Sequence, residues 1–351
     1  MAPDSKGVQR EHGDKQAAKK AGKPVMADVA RAAGVSHQTV SRVLNGSPQV
    51  LPETRERVLA AVEQLGYRRN RIARALAMRR SGAIGVLTHN AELYGRASTF
   101  QGLEGAAREA GHACTVISLR DTDEDRVAES VDFLVENGVD GLVLDLPERL
   151  ATRAVAAVPE GVPLVITGRA DDVCTVRVDN VAGAHAAVTA LLDAGHDTVW
   201  HLAGPAGWGE AAEREEGWRT ALRDAGRPVP ELVRGGWSFV DGHRAAAALL
   251  DSGATAVFVA NDHMALGLLK ALHEAGVSVP ERLSVVGFDD IPEAAWITPA
   301  LSTVRQDFGA LGQRAIDLLA RAATGASGEV VDEVLVPTLK LRESSGPPPR
   351  R

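Results

Sequence analysis

The sequence predicts two architectures in one chain: an all-α helix-turn-helix headpiece, followed by an α/β body of two doubly wound lobes with parallel sheets. Three observations support this prediction. The 351 residues exceed the length of one ordinary domain. Residues 26–67 contain three segments in which apolar residues have helical spacing. From residue 81 onward, short β-branched runs alternate with amphipathic segments of helical length.

The first part of the headpiece predicts two short helices joined by a tight turn. The segment "MADVARAA" over 26–33 has helical spacing, and Gly34 and Val35 form the turn. Ser36 is expected to cap the second helix by accepting a hydrogen bond from a backbone N–H of its first turn. A third helix is predicted at "PETRERVLAAVEQLGY", with Pro52 in its first turn. Two short helices braced by a third make a helix-turn-helix.

The second helix has two distinct faces. Helical spacing places three apolar residues on one face and four polar residues on the opposite one. The apolar residues are Val40, Val43 and Leu44, and the polar ones are His37, Gln38, Ser41 and Arg42. The apolar face is expected to pack, so the polar face is available to the major groove of DNA. The alternative is a small, solvated helical bundle.

An arginine-rich segment follows the headpiece. "RRNRIARALAMRR" over 68–80 contains six arginines and no acidic residue. A helix of about eight residues is marginal alone in water, so we expect "RIARALAM" to become helical only on DNA. Its arginines would neutralise phosphates, and Leu76 would be an apolar wedge in a minor-groove base step. The alternative is a solvated linker.

Charge is distributed unevenly along the chain. Residues 1–80 contain 16 Lys and Arg against 7 Asp and Glu, and the remainder contains 23 against 39, giving the net charge of −7. A basic front on an acidic body indicates that a polyanion binds at one end.

The body from residue 81 predicts parallel sheets covered on both faces. Apolar runs such as "AIGVLT", "GLVLDL" and "LSVVGFDD" are typical of buried parallel strands. Four helical segments end in Ala-Gly, where glycine supplies the left-handed turn that stops a helix. These glycines are Gly111, Gly195, Gly226 and Gly276. Ligands of doubly wound folds bind beyond the carboxyl ends of the strands.

Both ends of the chain and the two cysteines have simpler interpretations. Residues 1–24 are polar and lysine-dotted without an apolar core, which predicts a disordered tail and no signal peptide. Residues 343–351, "ESSGPPPRR", have no heptads and are also predicted to be a disordered tail. Cys114 and Cys174 form no CxxC pair, so we expect buried free thiols in a reduced, cytoplasmic protein.

Several motifs in a fixed order resemble the LacI/GalR (lactose-repressor) family. They include "ADVARAAGVSHQTVSRVLNG", "TRERVLAAVEQLGY", "NRIARALA", "VANDHMALG", "LSVVGFDD" and "PALSTVRQDFGALG". The resemblance covers about residues 24–342. It implies a body similar to periplasmic sugar-binding proteins.

The resemblance implies a division of the chain into a headpiece, a hinge helix and an effector-binding, dimerising core with two lobes. The expected bounds are 25–69 for the headpiece, 70–80 for the hinge and 81–342 for the core. Within the core, the first lobe is expected to comprise about 81–178 with 308–335, and the second about 179–307 with 336–342.

The resemblance also implies the DNA contacts. His37, Gln38 and Arg42 would contact bases: Gln can pair with adenine and Arg can bind guanine through two hydrogen bonds. The full predicted set is Ser36, His37, Gln38, Thr39, Ser41, Arg42, Asn45, Asn70, Arg71, Ala73 and Leu76. Val25 and Leu51 stand where the family has hydroxyl caps. Since one headpiece reads few bases, a homodimer on a pseudo-palindromic operator is implied.

The resemblance implies an effector site between the lobes. The predicted residues are His89, Leu93, Arg214, Trp237, Asn261, Asp289, Gln306 and Phe308. Arg214 can bind adjacent sugar hydroxyls, and Trp237 offers a flat surface for a pyranose. Alternatively, Trp237 is a core residue and Asn261 a helix cap. Gly168 and Arg169 stand where the family has an acidic residue, which leaves the sugar open; Tyr94 and Arg96 suggest a glycoside or disaccharide.

The function predicted on this basis is a cytoplasmic, nucleoid-associated transcriptional repressor released from DNA by a small sugar. The close alternative is a repressor that needs a purine corepressor. An uptake protein would need a secretory leader and no DNA-reading helix. An enzyme is disfavoured because the sequence has no GxSxG, P-loop or HExxH motif, and "GPAGWG" over 204–209 lacks GxGxxG spacing. No catalytic residue, cofactor, metal site or membrane segment is predicted.

Overall fold

The computed structural model describes residues 24–68, 81–120, 124–324 and 330–350, in two compact units, Met1–Met78 and Arg79–Arg351. Nearly all of the predicted N-terminal tail lies outside the described residues. So do the predicted hinge contacts Asn70, Arg71, Ala73 and Leu76. These predictions therefore stay predictions.

The first unit is built from three helices: α1 (Met26–Ala33), α2 (His37–Leu44) and α3 (Pro52–Leu65). Their apolar faces meet in a small core that includes Val29, Val40, Val43, Val58 and Ala61. Gly34 has a φ of 63° and turns the chain between α1 and α2, a conformation that favours glycine. The helix-turn-helix predicted from the sequence is present.

The second unit contains two lobes, each built on one six-stranded sheet. The first sheet is entirely parallel, and its strands are β11 (Asp332–Leu335), β5 (Cys174–Val178), β4 (Leu164–Thr167), β3 (Leu142–Asp145), β1 (Ala83–His89) and β2 (Ala113–Leu119), in that order. Helices α4 (Tyr94–Glu109) and α11 (Phe308–Ala323) pack on one face of this sheet, and α5 (Glu124–Glu136) and α6 (Glu148–Ala157) on the other.

The second lobe repeats this plan. Its strands are β12 (Thr338–Lys340), β10 (Ser302–Arg305), β9 (Ser284–Asp289), β8 (Ala256–Val259), β6 (Trp200–Ala203) and β7 (Val233–Arg234). Helices α7 (Asn180–Asp193) and α8 (Gly209–Asp224) cover one face, and α9 (Phe239–Asp251) and α10 (Asp262–Glu274) the other. All four residues of β8 are fully buried, as expected for a strand covered on both faces.

The chain passes from one lobe to the other three times, between β5 and α7, between β10 and α11, and between β11 and β12. The last passage explains one departure from the predicted parallel sheets, since β12 pairs antiparallel with β10. β11 ends at the carboxyl edge of its own sheet, and only Val336 and Pro337 separate it from β12. The chain therefore enters the second sheet at its carboxyl edge and runs back along it.

The prediction of a disordered tail over 343–351 is wrong for its described part. Ser344 is fully buried: its hydroxyl donates to the carbonyl of Val285 at 2.6 Å and accepts from the amide of Ser302 at 2.8 Å. The carbonyl of Gly346 lies 3.0 Å from Nε2 of His196. A Ser-, Gly- and Pro-rich composition cannot bury much apolar area, but here hydroxyl and backbone hydrogen bonds fix the segment. The second lobe thus extends beyond residue 342.

Candidate DNA-reading helix and effector site

Helix α2 presents a polar face outward. Its cap is the predicted one, since Oγ of Ser36 accepts from the amide of Thr39 at 3.1 Å. Val40 and Val43 are buried, while His37, Gln38, Arg42 and Asn45 are exposed and Thr39 and Ser41 are half-buried. The side chains predicted to meet base edges are therefore free of the core of their own unit.

The other two helices of the first unit lack hydroxyl caps, as the sequence suggests. Neither Val25 nor Leu51 forms a side-chain cap. Asp28 partly compensates, because its Oδ2 accepts from the amide of Val25 at 3.0 Å. Arg55 of α3 donates from Nη2 to the carbonyl of Ser47 at 2.6 Å and so ties the loop after α2 to the third helix.

A cavity of about 290 Å³ lies between the two lobes, at the carboxyl ends of the strands. Seven of the eight predicted effector residues line it. They are Leu93, Arg214, Trp237, Asn261, Asp289, Gln306 and Phe308. This is where ligands of doubly wound folds bind.

The eighth predicted residue, His89, is not among the lining residues of this cavity. It is the last residue of β1 and is buried, and its ring lies 5.7 Å from that of Trp208. The prediction of a direct ligand contact by His89 is therefore not supported: its ring packs against Trp208 of the second lobe, and Trp208 itself lines the cavity.

Arg214 and Asp289 form the polar end of the cavity. Nη1 of Arg214 lies 3.8 Å from Oδ1 of Asp289, and Nε donates to Oδ1 of Asn180 at 3.0 Å. The guanidinium stacks over the ring of Phe288 at 3.8 Å. Nε2 of Gln306 donates to Oδ1 of Asp289 at 2.7 Å. Planar donors and a carboxylate are thus held side by side, an arrangement suited to vicinal hydroxyls.

Burial shifts the titration of both groups. It raises the pKa of Asp289 to about 6, although Arg214 and Gln306 oppose the rise. Burial lowers the pKa of Arg214, and Asp289 opposes that shift. Asp289 therefore changes from carboxylate to neutral acid as the pH falls through the mildly acidic range, and it then accepts hydrogen bonds less strongly.

Trp237 forms an apolar wall in a strained conformation. Its φ of 76° is unusual for a bulky residue and costs about 1–3 kcal/mol. Nδ2 of Asn261 holds it by donating to its carbonyl at 3.1 Å. Within the part of the chain that the structure describes, its buried indole N–H has no hydrogen-bond acceptor. A bound ligand that supplies an acceptor would satisfy it.

Asn261 also serves as a helix cap. Its Oδ1 accepts from the amide of Met264 at 3.0 Å, at the start of α10. Both ends of the amide are thus used within the protein, so the capping alternative considered from the sequence is correct. Asn261 still lines the cavity, and its main contribution is to hold Trp237.

Arg96, which the sequence indicated as a polar residue of the cavity, belongs to a charge cluster whose other members, Asp145 and Glu210, sequence reasoning missed. Arg96, at the start of α4, donates to Asp145 at the end of β3 and, from Nη2, to Oε1 of Glu210 at 2.6 Å. Arg96 and Asp145 belong to the first lobe, and Glu210 lies in the first turn of α8 of the second lobe, four residues before Arg214. An acidic residue directly after a buried run such as "GLVL" is the pattern that indicates Asp145 in the sequence.

The electrostatics of this cluster favour the charged forms of Arg96 and Glu210. Burial alone would lower the pKa of Arg96, but the carboxylates of Asp145 and Glu210 outweigh it and raise that pKa. Burial would raise the pKa of Glu210, and the guanidinium of Arg96 reverses this shift. Thr88 and Thr167 donate to Asp145 at 3.0 and 2.8 Å, so this carboxylate is well satisfied.

A second ion pair joins the lobes at the position where the sequence departs from the family pattern. Arg169 follows Gly168 after β4, and its Nε donates to Oε1 of Glu213 on α8. The other oxygen of Glu213 accepts from Nδ2 of Asn180 at 2.8 Å. The carboxylate next to Arg169 in the cavity therefore comes from Glu213 of the second lobe. Asp171 and Asp172, which follow Arg169 in the sequence, are not among the residues that line the cavity.

The described ranges also bear on membrane insertion and metal binding. No helix there is long and apolar enough to cross a membrane, and no cluster of three His, Cys, Asp or Glu residues there could hold a metal ion. The two cysteines are free, as predicted, and they are half-buried.

Comparison with known proteins assigns the two units. Residues 25–70 match the model for bacterial regulatory proteins of the lacI family, and residues 188–345 match a periplasmic binding protein-like domain. The chain is 34% identical to the lactose operon repressor of Escherichia coli K12 over 310 residues, covering 86% of each chain. It is also 34% identical over 339 residues to the regulator CelR of Thermobifida fusca, covering 92% of this chain and 98% of that one.

The chain belongs to the lacI family of bacterial regulatory proteins.

Solved structures of this family agree with the assignment. The Lac repressor dimer bound to operator and the anti-inducer ONPF matches with a TM-score of 0.81 and 31% identity, covering 93% of this chain and all of that one. A CelR–cellobiose complex matches with a TM-score of 0.68 and 33% identity, covering 92% and 99%. The predicted fold of a helix-turn-helix headpiece with a two-lobed periplasmic-binding-protein-like body is confirmed.

Proposed function

We propose that this lacI-family chain is a sequence-specific DNA-binding repressor, released from a pseudo-palindromic operator when a small neutral sugar binds between its lobes. The observation that carries the effector part is the arrangement of Arg214, Asp289 and Gln306 beside the buried indole of Trp237. The relatives named for lactose and the structure with cellobiose support the same ligand class.

The DNA-reading role rests on α2. Its exposed His37, Gln38 and Arg42 lie along one face, and Ser36, Thr39, Ser41 and Asn45 offer hydroxyl and amide groups to phosphates. We propose that the segment 70–80 contributes Asn70, Arg71, Ala73 and Leu76 once it is helical on DNA, with the domain bounds expected from the sequence except that the second lobe continues past 342.

The charge of the cavity favours an uncharged effector. Each arginine that lines it lies beside a carboxylate: Arg96 beside Asp145 and Glu210, Arg169 beside Glu213, Arg177 beside Asp332, and Arg214 beside Asp289. A phosphate or carboxylate ligand would have to displace these partners. A neutral polyhydroxyl compound can add hydrogen bonds without displacing them, which favours a sugar over a sugar phosphate.

A homodimer is part of the proposal, since a pseudo-palindrome requires two reading helices. The second lobe exposes large apolar side chains that a partner would cover: Trp296 is 88% exposed, Val240 54% and Phe239 48%. The ring of Phe239 lies 4.5 Å from that of His263, at the start of α10. We propose that these side chains form part of the interface with the second copy of the chain.

Effector binding would act by shifting the equilibrium between lobe arrangements, to the extent that the sugar binds one arrangement better than the other. We propose that this change reaches the paired hinge segments through the dimer and weakens their hold on DNA. Catalysis has no part in this scheme, and the protein would act on chromosomal DNA in the cytoplasm.

The DNA-binding proposal is tested by fluorescence anisotropy with a palindromic fragment from the upstream region of the gene, titrated at increasing salt. We expect tight binding that weakens steeply with salt, because lysines and arginines displace counterions from phosphates. Absence of binding, or binding that does not depend on salt, contradicts the proposal.

The effector proposal is tested by isothermal titration calorimetry with a panel of neutral sugars, sugar phosphates and purines, followed by anisotropy in the presence of each compound that binds. A neutral sugar that binds and releases DNA supports the proposal. A purine that binds and strengthens DNA binding would instead establish the corepressor alternative.

A further inference from the structure

We propose that the cavity contains a second sugar subsite, formed by Trp208, Glu210 and Arg96, which binds the second ring of a two-ring glycoside. This inference rests on the proposed sugar effector and narrows its class. The first ring would lie against Trp237 beside Arg214 and Asp289, and the second where Arg96 meets Glu210, one turn of α8 before Arg214.

Trp208 provides an apolar wall for this subsite. It lines the cavity as the N-cap residue of α8, and its ring lies 5.9 Å from that of Trp237 at an interplanar angle of 72°. Two indoles at this angle form a corner rather than a parallel slot. Such a corner offers two apolar indole surfaces, one for the C–H face of each of two linked rings.

Contacts with the first lobe hold Trp208 in place. The ring of His89 lies 5.7 Å from its ring, and Cζ of Arg96 lies 6.0 Å from the ring centroid. This accounts for the placement of His89, which supports the wall without lining the cavity. The "GPAGWG" segment, which lacks the spacing of a nucleotide-binding loop, thus has a clear role as the carrier of Trp208.

Glu210 provides the polar part of the subsite. One of its oxygens accepts from Arg96, and its side chain remains 34% exposed at the cavity. A carboxylate has about four acceptor positions, so it can accept hydroxyl hydrogens in addition to the guanidinium. Asp145, by contrast, already accepts from two threonines and Arg96, and its role is to position Arg96.

The dimensions of the cavity are consistent with two rings. Its volume of about 290 Å³ lies just below the range of about 300–1,000 Å³ that is usual for pockets that hold a drug-sized ligand. A monosaccharide at the Arg214 end would leave the Trp208 end without a partner. A linked second ring would add a contact with the indole of Trp208 and hydrogen bonds to Glu210.

The test is calorimetry of the full chain with cellobiose, lactose and maltose, and with glucose and galactose as single rings. We expect at least one disaccharide to bind tenfold or more tightly than its component sugars. Trp208→Ala should weaken that disaccharide about tenfold and change the affinity for the single ring less than twofold. Glu210→Gln should show the same selectivity, and Trp208→Phe should retain most of the affinity because it keeps an aromatic face.

Binding of the single ring confirms that each variant is folded, so a loss restricted to the disaccharide supports the second subsite. Equal weakening of one-ring and two-ring sugars in Trp208→Ala and Glu210→Gln overturns it, as does a single ring that binds as tightly as every disaccharide; the proposed sugar effector survives both results. If no sugar in the panel binds the unaltered chain, both the subsite and the proposed effector class are wrong.

Discussion

The indole of Trp237 occupies the space that a side chain at position 204 would need. A Cβ placed on Gly204 would lie 2.4 Å from the ring of Trp237, which is closer than real Cβ contacts. Gly204 directly follows β6, so the end of this strand and the cavity wall fit together only because the residue has no side chain. The glycine therefore sets the position of the wall against which a sugar ring would lie.

This relationship predicts that Gly204→Ala displaces Trp237 and weakens effector binding by tenfold or more, since the ring cannot keep its place. Calorimetry with the bound sugar and near-ultraviolet circular dichroism measure the two effects. Gly105→Ala on α4 is the matched control, because a Cβ there meets nothing within 4 Å. Similar losses in both variants would contradict the explanation.

The position of Asp289 predicts a pH-dependent effector affinity. Burial raises its pKa to about 6, so the carboxylate that accepts sugar hydroxyls becomes protonated as the pH falls through that value. We expect the affinity to decrease between pH 7.5 and pH 5, and Asp289→Asn to bind weakly with little dependence on pH. Calorimetry at several pH values tests this; an Asp289→Asn variant that keeps the full pH dependence would assign it to another group.

The same shift predicts the sign of a stability effect. Because the pKa of Asp289 is higher in the folded state than in the unfolded chain, its contribution to stability is fully present below about pH 4 and is lost as the pH rises through about 6. Asp289→Asn should remove this loss. The free energy of unfolding of the second unit, from urea titrations at pH 5 and 7.5, should therefore change less with pH in the variant.

His201 predicts the opposite pH dependence in the core of the second lobe. Its ring stacks on Phe258 at 4.8 Å, and Nδ1 lies 2.9 Å from the carbonyl of Phe258. Burial lowers the pKa of His201 to about 4, so the unfolded chain takes up a proton below about pH 6.5 while the folded chain does not. Its contribution is present above pH 6.5 and is lost toward pH 4.

Urea titrations of His201→Asn test this prediction. The variant should be less stable at pH 8, where the ring stack is missing, but should lose less free energy of unfolding than the unaltered chain between pH 6.5 and 4.5. An unchanged loss over that interval would show that His201 does not cause it.

Buried Ser344 predicts that the C-terminal segment stabilises the second lobe. Ser344→Ala leaves the carbonyl of Val285 and the amide of Ser302 without their hydroxyl partner, which should cost about 1–3 kcal/mol. Ser130→Ala is the control, since that hydroxyl is exposed and bonds only within its own helix. Thermal melting should separate the two variants by several degrees, and equal melting temperatures would rule out the proposed role.

The reading face of α2 predicts a loss of sequence preference without loss of all DNA binding. Arg42→Ala should reduce the preference for the operator over a shuffled duplex by tenfold or more, consistent with about 1–3 kcal/mol for a bidentate base contact. Weak, salt-sensitive binding should remain. Arg57→Ala, which removes an exposed charge from α3, is the control and should keep the preference. An Arg42→Ala variant that still discriminates would show that another residue reads the base.

The features that could be predicted from the sequence are those determined by residues that lie close together in the chain. The three helices of the first unit and the Ser36 cap follow from spacing over a few residues. The assignment of Arg214, Trp237, Asp289 and Gln306 to the effector site followed from motifs that resemble the family. In each case a side chain and the element that carries it lie close together in the chain.

The tertiary structure alone decided the contacts between distant segments. Arg96 and Glu210 are 114 residues apart, and Ser344 and Val285 are 59 apart. Periodicity shows which face of an element is buried but not which element covers it, because strand order and the crossings between lobes bring such residues together. For this reason the sequence indicated the DNA-reading helix and most residues around Arg214 and Trp237 in the effector site. The roles of Trp208, Glu210 and the ordered C-terminal segment follow only from the tertiary structure, because their partners are distant in the chain.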